Sequence, residues 1–137
     1  MPEIGIRAGA FAFTARLERQ AAPHTCAAFE GMLPYRARLI HVRWSGEACW
    51  IPLGSLDLGV SYENATSYPP PGGVLLYPGG VSETELLLAY GACRFASKAG
   101  QLAGNHFMTI VGGGESLAEL GRLVLWRGAQ EIAFTAA

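Results

Sequence analysis

The feature that most constrains this chain is a succession of short alternating segments separated by glycine and proline. Residues 9–18 set the pattern, since Phe11 and Phe13 alternate with the polar Thr14 and Arg16. A two-residue period is typical of a half-buried strand. Further strands are predicted at residues 35–44, 47–53, 73–77, 84–90, 93–97, 106–111 and 131–135. With 18 Gly and 8 Pro in 137 residues, turns between these strands are abundant, and the chain is predicted to be mainly β.

Two segments have a helical period instead. Pro23 suits the first turn of a helix over residues 23–32, which Pro34 ends. A second helix is predicted from a capping box of Ser116 and Glu119, with an apolar stripe that ends near Gly128. Many short strands with one early and one late helix predict a single domain over residues 1–137. Its predicted architecture is a closed antiparallel β-barrel capped by two short helices, one over each open end.

The segment around residues 39–50 is predicted to form a tight hairpin. Ser45-Gly46 is a two-residue turn signal, so Trp44 should face Glu47 and His41 should face Trp50. Strand parity places one apolar face and one mixed face on the first strand. The apolar face, formed by Ile40, Val42 and Trp44, is expected in the core. The face with Leu39, His41 and Arg43 either lines a pocket or meets solvent.

Three stretches resemble the cyclophilins. Residues 22–29, APHTCAAF, are similar to their Pro-Lys-Thr-x-x-Asn-Phe helix start. Residues 39–43, LIHVR, resemble their Phe-His-Arg strand, and residues 105–112, NHFMTIVG, resemble the strand reading Lys-His-Val-Val-Phe-Gly. Residues 44–47, 77–80 and 101–107 look more like an uncharacterised bacterial family of short cyclophilin-like proteins. The resemblance implies a cyclophilin-like barrel.

Cyclophilins isomerise peptidyl-prolyl bonds, and an Arg polarises the proline amide. Arg43 lies one position from that Arg, and His106 matches the His of the corresponding strand. The Phe-Met-x-Gln-Gly-Gly segment that follows the Arg in cyclophilins is absent here. Prolyl isomerisation, with Phe107, Met108 and Trp50 shaping the proline site, is therefore the second hypothesis.

The first hypothesis is a small-molecule site, for anionic ligands among others, whose activity as an enzyme is left open. Arg would clamp an anion, and the residues of the loop before residue 106 either hold the ligand or satisfy their own backbone. In an enzyme, His106 or Glu47 would be the acid or base and Arg43 would stabilise negative charge. Glu47 has an alternative role in a salt bridge with Arg43 or Arg94. The candidate ligand-binding residues are His41, Arg43, Trp50, Arg94, Gln101, Asn105 and His106. A third hypothesis is a non-catalytic interaction or subunit role.

Several classes are excluded on composition and spacing. The scattered His24, His41 and His106 lack metal-ligand spacing, so no metal is predicted, and no cofactor is expected. Ten basic and eleven acidic residues give a net charge of −1, which is unlike a nucleic-acid binder. No apolar run approaches the roughly 18 residues of a membrane span, and no secretory signal is visible, so a cytoplasmic location is expected. With 15% charged residues, a homodimer or larger homo-oligomer is expected.

Overall fold

The strands of the protein close on themselves. The computed structural model describes residues 3–137. The elements are β1 (Ile4–Ala8), β2 (Phe11–Leu17), α1 (Pro23–Glu30), β3 (Tyr35–His41), β4 (Gly46–Gly54), β5 (Ala65–Thr66), β6 (Gly73–Tyr77), β7 (Thr84–Cys93), β8 (Ala96–Ser97), β9 (Gly100–Gln101), β10 (Gly104–Gly112), α2 (Leu117–Arg127) and β11 (Gln130–Ala136). Eight antiparallel strands follow the order β2-β1-β11-β3-β4-β7-β6-β10, and β10 pairs back with β2. This confirms the predicted mainly β, closed antiparallel barrel with two helices.

The barrel interior is filled by apolar side chains. Strand alternation sends Phe13 and Leu17 of β2, with Leu86 and Leu88 of β7, into this core. The cavity left inside is only about 10 Å³ and entirely apolar in its lining. That space holds roughly one water molecule at most, so a ligand site must lie elsewhere.

A second apolar cluster covers the opposite face of β4, β7 and β6. Leu87 of β7 and Leu75 of β6 pack there under Phe95 and Leu102, which belong to the segment that follows β7. Strand β7 is consequently buried on both faces from Thr84 to Ala89. Such two-sided burial explains the continuous apolar run of this strand.

The two helices cover opposite ends of the barrel. At one end, the Phe29 ring of α1 lies 5.3 Å from that of Phe134, the cross-strand partner of Tyr35 at the start of β3. At the other end, Gly121 of α2 lies against the Tyr90 ring, near the last residue of β3. None of the described helices combines the length and apolarity needed to cross a membrane.

Replacing Gly121 with alanine should destabilise the protein by about 1–3 kcal/mol, because the added Cβ would overlap the Tyr90 ring in a packed interface. Urea denaturation measures the change. Gly114→Ala is the matched control, since nothing lies within 4 Å of a Cβ there. An alanine that stabilises at Gly121, as Gly→Ala often does in an open helix position, would contradict this packing.

The predicted hairpin at Ser45-Gly46 is wrong in register. Trp50 pairs with Ile40, and His41 pairs with Cys49. Residues 43–45 form a 3-10 turn, in which the buried Ser45 hydroxyl donates to the Ala96 carbonyl at 2.9 Å. This contact from a distant segment sets the turn, and no local pattern encodes it.

The prediction that Ile40, Val42 and Trp44 point into the core is also wrong in part. Leu39 is buried, while Ile40 is 38% and Trp44 52% exposed. Val42 is buried as predicted, in the second apolar cluster. The cause is the pairing of β3 with β11, which turns Leu39 inward.

Element ends differ as well. Helix α1 ends at Glu30 rather than at residue 32, and α2 begins at Leu117 after a 3-10 turn. The Ser116 side chain makes no capping hydrogen bond, so the predicted capping box is wrong. Strand β1 was not predicted, and the predicted strand at 93–97 is divided between the end of β7 and β8.

Candidate functional site

The most unusual group in the described chain is the carboxyl of Glu85. This residue lies on β7 between Pro52 of β4 and Tyr77 of β6, and it is 2% exposed. Its Oε2 has no hydrogen-bond partner among residues 3–137. Burial, with a smaller effect of Glu83, raises the pKa of Glu85 to about 8. At neutral pH the carboxyl is therefore mostly protonated, and it is unsatisfied.

Glu85 lines a cleft of about 460 Å³ on the outside of the barrel. Two indole side chains, Trp44 from the 3-10 turn and Trp50 from β4, form part of its wall. We call this recess the tryptophan cleft. Its lining residues are Trp44, Trp50, Val81, Ser82, Glu83, Glu85, Ser97, Lys98 and Ala99. Its volume falls within the range of small-molecule sites.

One wall of the tryptophan cleft is the loop between β6 and β7. The Tyr77 hydroxyl accepts hydrogen bonds from the backbone N–H groups of Val81 at 3.0 Å and Ser82 at 3.3 Å. Gly79 and Gly80 supply the positive φ angles of 97° and 127° that the turn requires. The loop is thereby held beside Glu85, with Val81 72% exposed.

The facing wall is the segment of β8 and its turn. The Ser45 hydroxyl donates to the Ala96 carbonyl and accepts from the Ala96 N–H, at 2.9 and 3.0 Å. These bonds join the turn that carries Trp44 to the segment that carries Lys98. The cleft is thus assembled from four separate parts of the sequence.

The chemistry of the tryptophan cleft favours a positively charged or N–H-bearing group. Glu83 and Glu85 supply two carboxyls, and Lys98 is the one basic side chain among the lining residues. Indole faces attract cations through their negative π surface. A cation beside Glu85 would also pair with its carboxyl.

Of the residues predicted as a ligand site, Trp50 lies in the tryptophan cleft. His41 lies at the end of the barrel covered by α2, where its Nε2 is 2.7 Å from the Tyr90 hydroxyl. Its buried Nδ1 has no partner among the described residues. Burial, and then the charge of Arg43, lowers the pKa of His41. Glu47 accepts a hydrogen bond from the Ala92 N–H at 2.8 Å.

His106 lies in a different place, in a chain of polar contacts between β10 and β2. Its Nε2 is 2.9 Å from Thr109 Oγ1, and Thr109 donates to Glu18 at 2.6 Å. Arg16 contacts the same carboxylate oxygen of Glu18 at 3.0 Å. Burial lowers the pKa of His106, which the charge of Glu18 partly opposes. This group is well satisfied, and its residues are outside the lining of the tryptophan cleft.

Asn105 is fully buried and holds together three segments. Its amide nitrogen donates to Thr25 Oγ1 at 3.0 Å and to the Ser61 carbonyl at 2.9 Å. Its amide oxygen accepts from the Glu63 N–H at 3.1 Å. The Glu63 carboxylate in turn accepts from the N–H and hydroxyl of Thr25, both at 2.6 Å, and so caps α1. Burial raises the pKa of Glu63, but these bonds outweigh it and the net shift is downward. We call this group the Asn105 clasp.

Arg94 and Gln101 are exposed. The backbone N–H of Arg94 donates to the Ser45 carbonyl at 2.9 Å, and Gln101 pairs with Ala96 in the small β8–β9 sheet. The predicted ligand residues are thus spread over several surfaces. Within residues 3–137, no three His, Cys, Asp or Glu side chains converge as metal ligands would.

Sequence reasoning missed Glu85 and took Trp44 for a core residue. A signal for Glu85 was present, because it directly precedes the most apolar run of the chain, Leu86 to Tyr90. A carboxylate beside a doubly buried strand segment must be buried or must end the strand. No sequence signal brings Trp44 and Lys98 to it.

Comparison with known proteins identifies the family. Residues 4–136 match the family described as "Protein of unknown function (DUF3830)". The chain belongs to this family. No curated protein sequence matches the DUF3830 chain.

Two solved structures share the fold of this DUF3830 protein. One is McbB in complex with tryptophan, with a TM-score of 0.70, 19% identity, and coverage of 96% of this chain and 44% of McbB. The chain therefore spans less than half the length of McbB. The other is the solution structure of the hypothetical protein AF2241 from Archaeoglobus fulgidus. Its TM-score is 0.58 at 15% identity, and the match covers 99% of this chain and 95% of AF2241.

Proposed function

We propose that this DUF3830 protein binds a small organic amine with an aromatic ring in the tryptophan cleft. The observation that carries the proposal is the Glu85 carboxyl, which is 2% exposed and has an oxygen without a partner among the described residues. A bound ammonium group would pair with the Glu85 carboxyl from the cleft, and Trp44 and Trp50 would contact the ring and the cation.

The Glu85 carboxyl favours an amine over the anionic ligands that the sequence suggested. At neutral pH this carboxyl is mostly protonated, so the charges of Glu83 and Lys98 balance each other, and the choice between an amine and an anion falls to Glu85. An ammonium group beside Glu85 would favour the ionised carboxylate, whereas an anion would not. Since the pKa of Glu85 is about 8, binding of an ammonium group would release a proton at neutral pH.

The tryptophan complex of McbB agrees with this proposal. Tryptophan carries both an aromatic ring and an amine, and McbB shares the fold at a TM-score of 0.70. At 19% identity and 44% coverage of McbB, this likeness supports the choice of tryptophan and related indole compounds for the first experiment.

Any acid–base chemistry in the tryptophan cleft would fall to Glu85. A pKa near neutrality suits a group that both gives and takes a proton. The sequence assigned this role to His106 or Glu47, with Arg43 as the stabiliser of negative charge, but the lining of the cleft includes none of these three.

The alternative functions have less support. Phe107 and Met108 are fully buried in the barrel core, so they cannot form a proline site together with Trp50 on the outer surface. The non-catalytic interaction role would be favoured if no small ligand bound. Cyclophilin-like kinship, a bacterial and cytoplasmic setting and a homodimer stay predictions of the sequence.

Calorimetric titration with tryptamine, tryptophan and indole-3-acetate tests the proposal. We expect tryptamine to bind more tightly than indole-3-acetate, and Glu85→Gln to weaken tryptamine binding by about tenfold or more, because it removes the ionisable partner. Trp126→Phe is the control, since Trp126 is 76% exposed on α2 and is not among the residues that line the tryptophan cleft. A preference for indole-3-acetate, or equal tryptamine affinity in wild type and Glu85→Gln, would refute the proposal.

A further inference from the structure

The tryptophan cleft contains a basic group as well as a buried carboxyl. Lys98 lines the cleft from the two-residue turn between β8 and β9, whereas Glu85 lines it from β7. The Lys98 ammonium makes no ion pair with any carboxylate among residues 3–137. Glu85 is 2% exposed, and its Oε2 has no partner in the same part of the chain. The cleft therefore presents a ligand with one buried carboxyl and one available ammonium group.

Building on the proposed function, we propose that the ligand of the tryptophan cleft is an aromatic α-amino acid, whose amine pairs with Glu85 and whose carboxylate pairs with Lys98. The ring contacts Trp44 and Trp50, which line the same cleft. The pair between Lys98 and the carboxylate is the one contact added to the proposed amine site, and it depends on that site. Lys98 is then the residue that distinguishes an amino acid from a simple amine.

Charge repulsion favours an amino acid over an amine without a carboxylate. A bound ammonium group shares the cleft with the positive charge of Lys98, and like charges in one recess repel each other. A carboxylate on the same ligand pairs with Lys98 and offsets this repulsion. Glu83, the other acidic lining residue, is exposed, so water solvates its charge. A zwitterion also adds no net charge to the cleft.

The turn that carries Lys98 is fixed at its base and free at its tip. The Ala96 backbone exchanges two hydrogen bonds with the Ser45 hydroxyl, at 2.9 and 3.0 Å, and Ser45 belongs to the 3-10 turn that carries Trp44. The Ala99 N–H donates to Ser97 Oγ at 3.0 Å within the turn. The Lys98 side chain has a flexible four-carbon stem, so its ammonium can move to meet a ligand carboxylate.

Three separate contacts make the site chiral. In an α-amino acid the amine, the carboxylate and the ring-bearing side chain are attached to one carbon atom. Their partners are Glu85 on β7, Lys98 in the turn after β8, and the indoles of the 3-10 turn and β4. A site that contacts all three groups binds one enantiomer more tightly than the other, because exchanging two of the groups misplaces them.

Calorimetry with tryptophan and tryptophanamide tests this inference. The two compounds share the ring and the amine, but tryptophanamide has a neutral amide in place of the carboxylate. At pH 6.5 both amines are mainly protonated. We expect wild type to bind the preferred enantiomer of tryptophan about fivefold more tightly than the matching tryptophanamide, the scale of one partly exposed ion pair. Lys98→Gln should remove this preference, and Lys98→Arg should keep it.

Arg94→Gln is the matched control, because it removes an exposed positive charge close in sequence that does not line the cleft. This variant should keep the wild-type preference for tryptophan. Lys98 is exposed in a turn, so its substitution leaves the core unchanged.

A second measurement observes Lys98 directly. It is the single lysine of the chain, so reductive methylation with isotopically labelled formaldehyde gives one lysine signal in an NMR spectrum. Methylation keeps the positive charge. Tryptophan should shift this signal, and tryptophanamide should shift it less.

The outcomes separate the inference from the proposed function. Equal binding of tryptophan and tryptophanamide by wild type would overturn the inference, as would equal binding of the two tryptophan enantiomers. A full preference for tryptophan in Lys98→Gln would overturn it as well. In each of these cases, tryptamine binding that depends on Glu85 would still support the proposed function. If neither tryptamine nor tryptophan binds, both proposals fail.

Discussion

Replacing Glu85 with leucine should stabilise the protein while removing its amine binding. The carboxyl is buried between Pro52 and Tyr77, and it lacks a partner for Oε2 among the described residues. Burying an unsatisfied polar group is unfavourable by about 1–3 kcal/mol, and leucine of similar volume would remove this penalty. Urea denaturation at pH 7 should show a free energy of unfolding higher by that amount.

The pH dependence of this gain follows from the raised pKa of Glu85. The carboxyl has an ordinary pKa of 4.5, and burial raises it to about 8 in the folded protein. Between these values the folded state holds a proton that the unfolded state has lost, so this group lowers stability as the pH rises from about 4.5 to 8. Leucine does not titrate. The stability difference between the Glu85→Leu variant and wild type should therefore grow from pH 5 to pH 8.5.

Glu119→Gln is the control for this comparison, because Glu119 is exposed on α2 and should change stability by less than about 0.5 kcal/mol at either pH. A Glu85→Leu variant that is less stable than wild type at both pH values would show that Glu85 makes favourable contacts. A gain in stability combined with a loss of tryptamine binding would identify Glu85 as a residue kept for function at the expense of stability.

The barrel could be predicted because its signal is local. Period-two alternation in β2, and the glycine and proline turns between strands, appear within windows of about ten residues. The apolar run Leu86–Leu88 even indicates a strand buried on both faces. The register at Ser45 could not be predicted, because its hydroxyl bonds to Ala96, 51 residues away.

The site was harder to predict because polar residue types do not reveal their surroundings. Histidine is the residue type most often found in acid–base catalysis, yet in this fold His106 contacts Thr109 and His41 contacts Tyr90. Glu85 has an ordinary residue type and gains its unusual properties from the second apolar cluster around it. That cluster requires residues 93–102 to fold back over β7, a long-range event with no local sequence signature.

The second large effect is expected from Asn105→Ala, which tests whether Asn105 binds a ligand or stabilises the fold. The Asn105 clasp joins α1, the loop before β5 and β10 through three amide hydrogen bonds. Alanine would leave the buried Thr25 hydroxyl, the Ser61 carbonyl and the Glu63 N–H short of partners. Loss of a buried network of this kind should destabilise the protein by about 2–4 kcal/mol, measured by urea denaturation.

Gln101→Ala is the matched control for Asn105→Ala, because both residues were predicted to bind a ligand, yet Gln101 is exposed. Its stability change should stay below about 0.5 kcal/mol. The folded fraction of Asn105→Ala should keep wild-type tryptamine affinity, since Asn105 lies outside the lining of the tryptophan cleft. A variant with wild-type stability and no ligand binding would instead restore Asn105 as a ligand residue. We expect a loss of stability with unchanged ligand binding, because the Asn105 amide is fully buried and makes its hydrogen bonds inside the protein, so it has none left for a ligand.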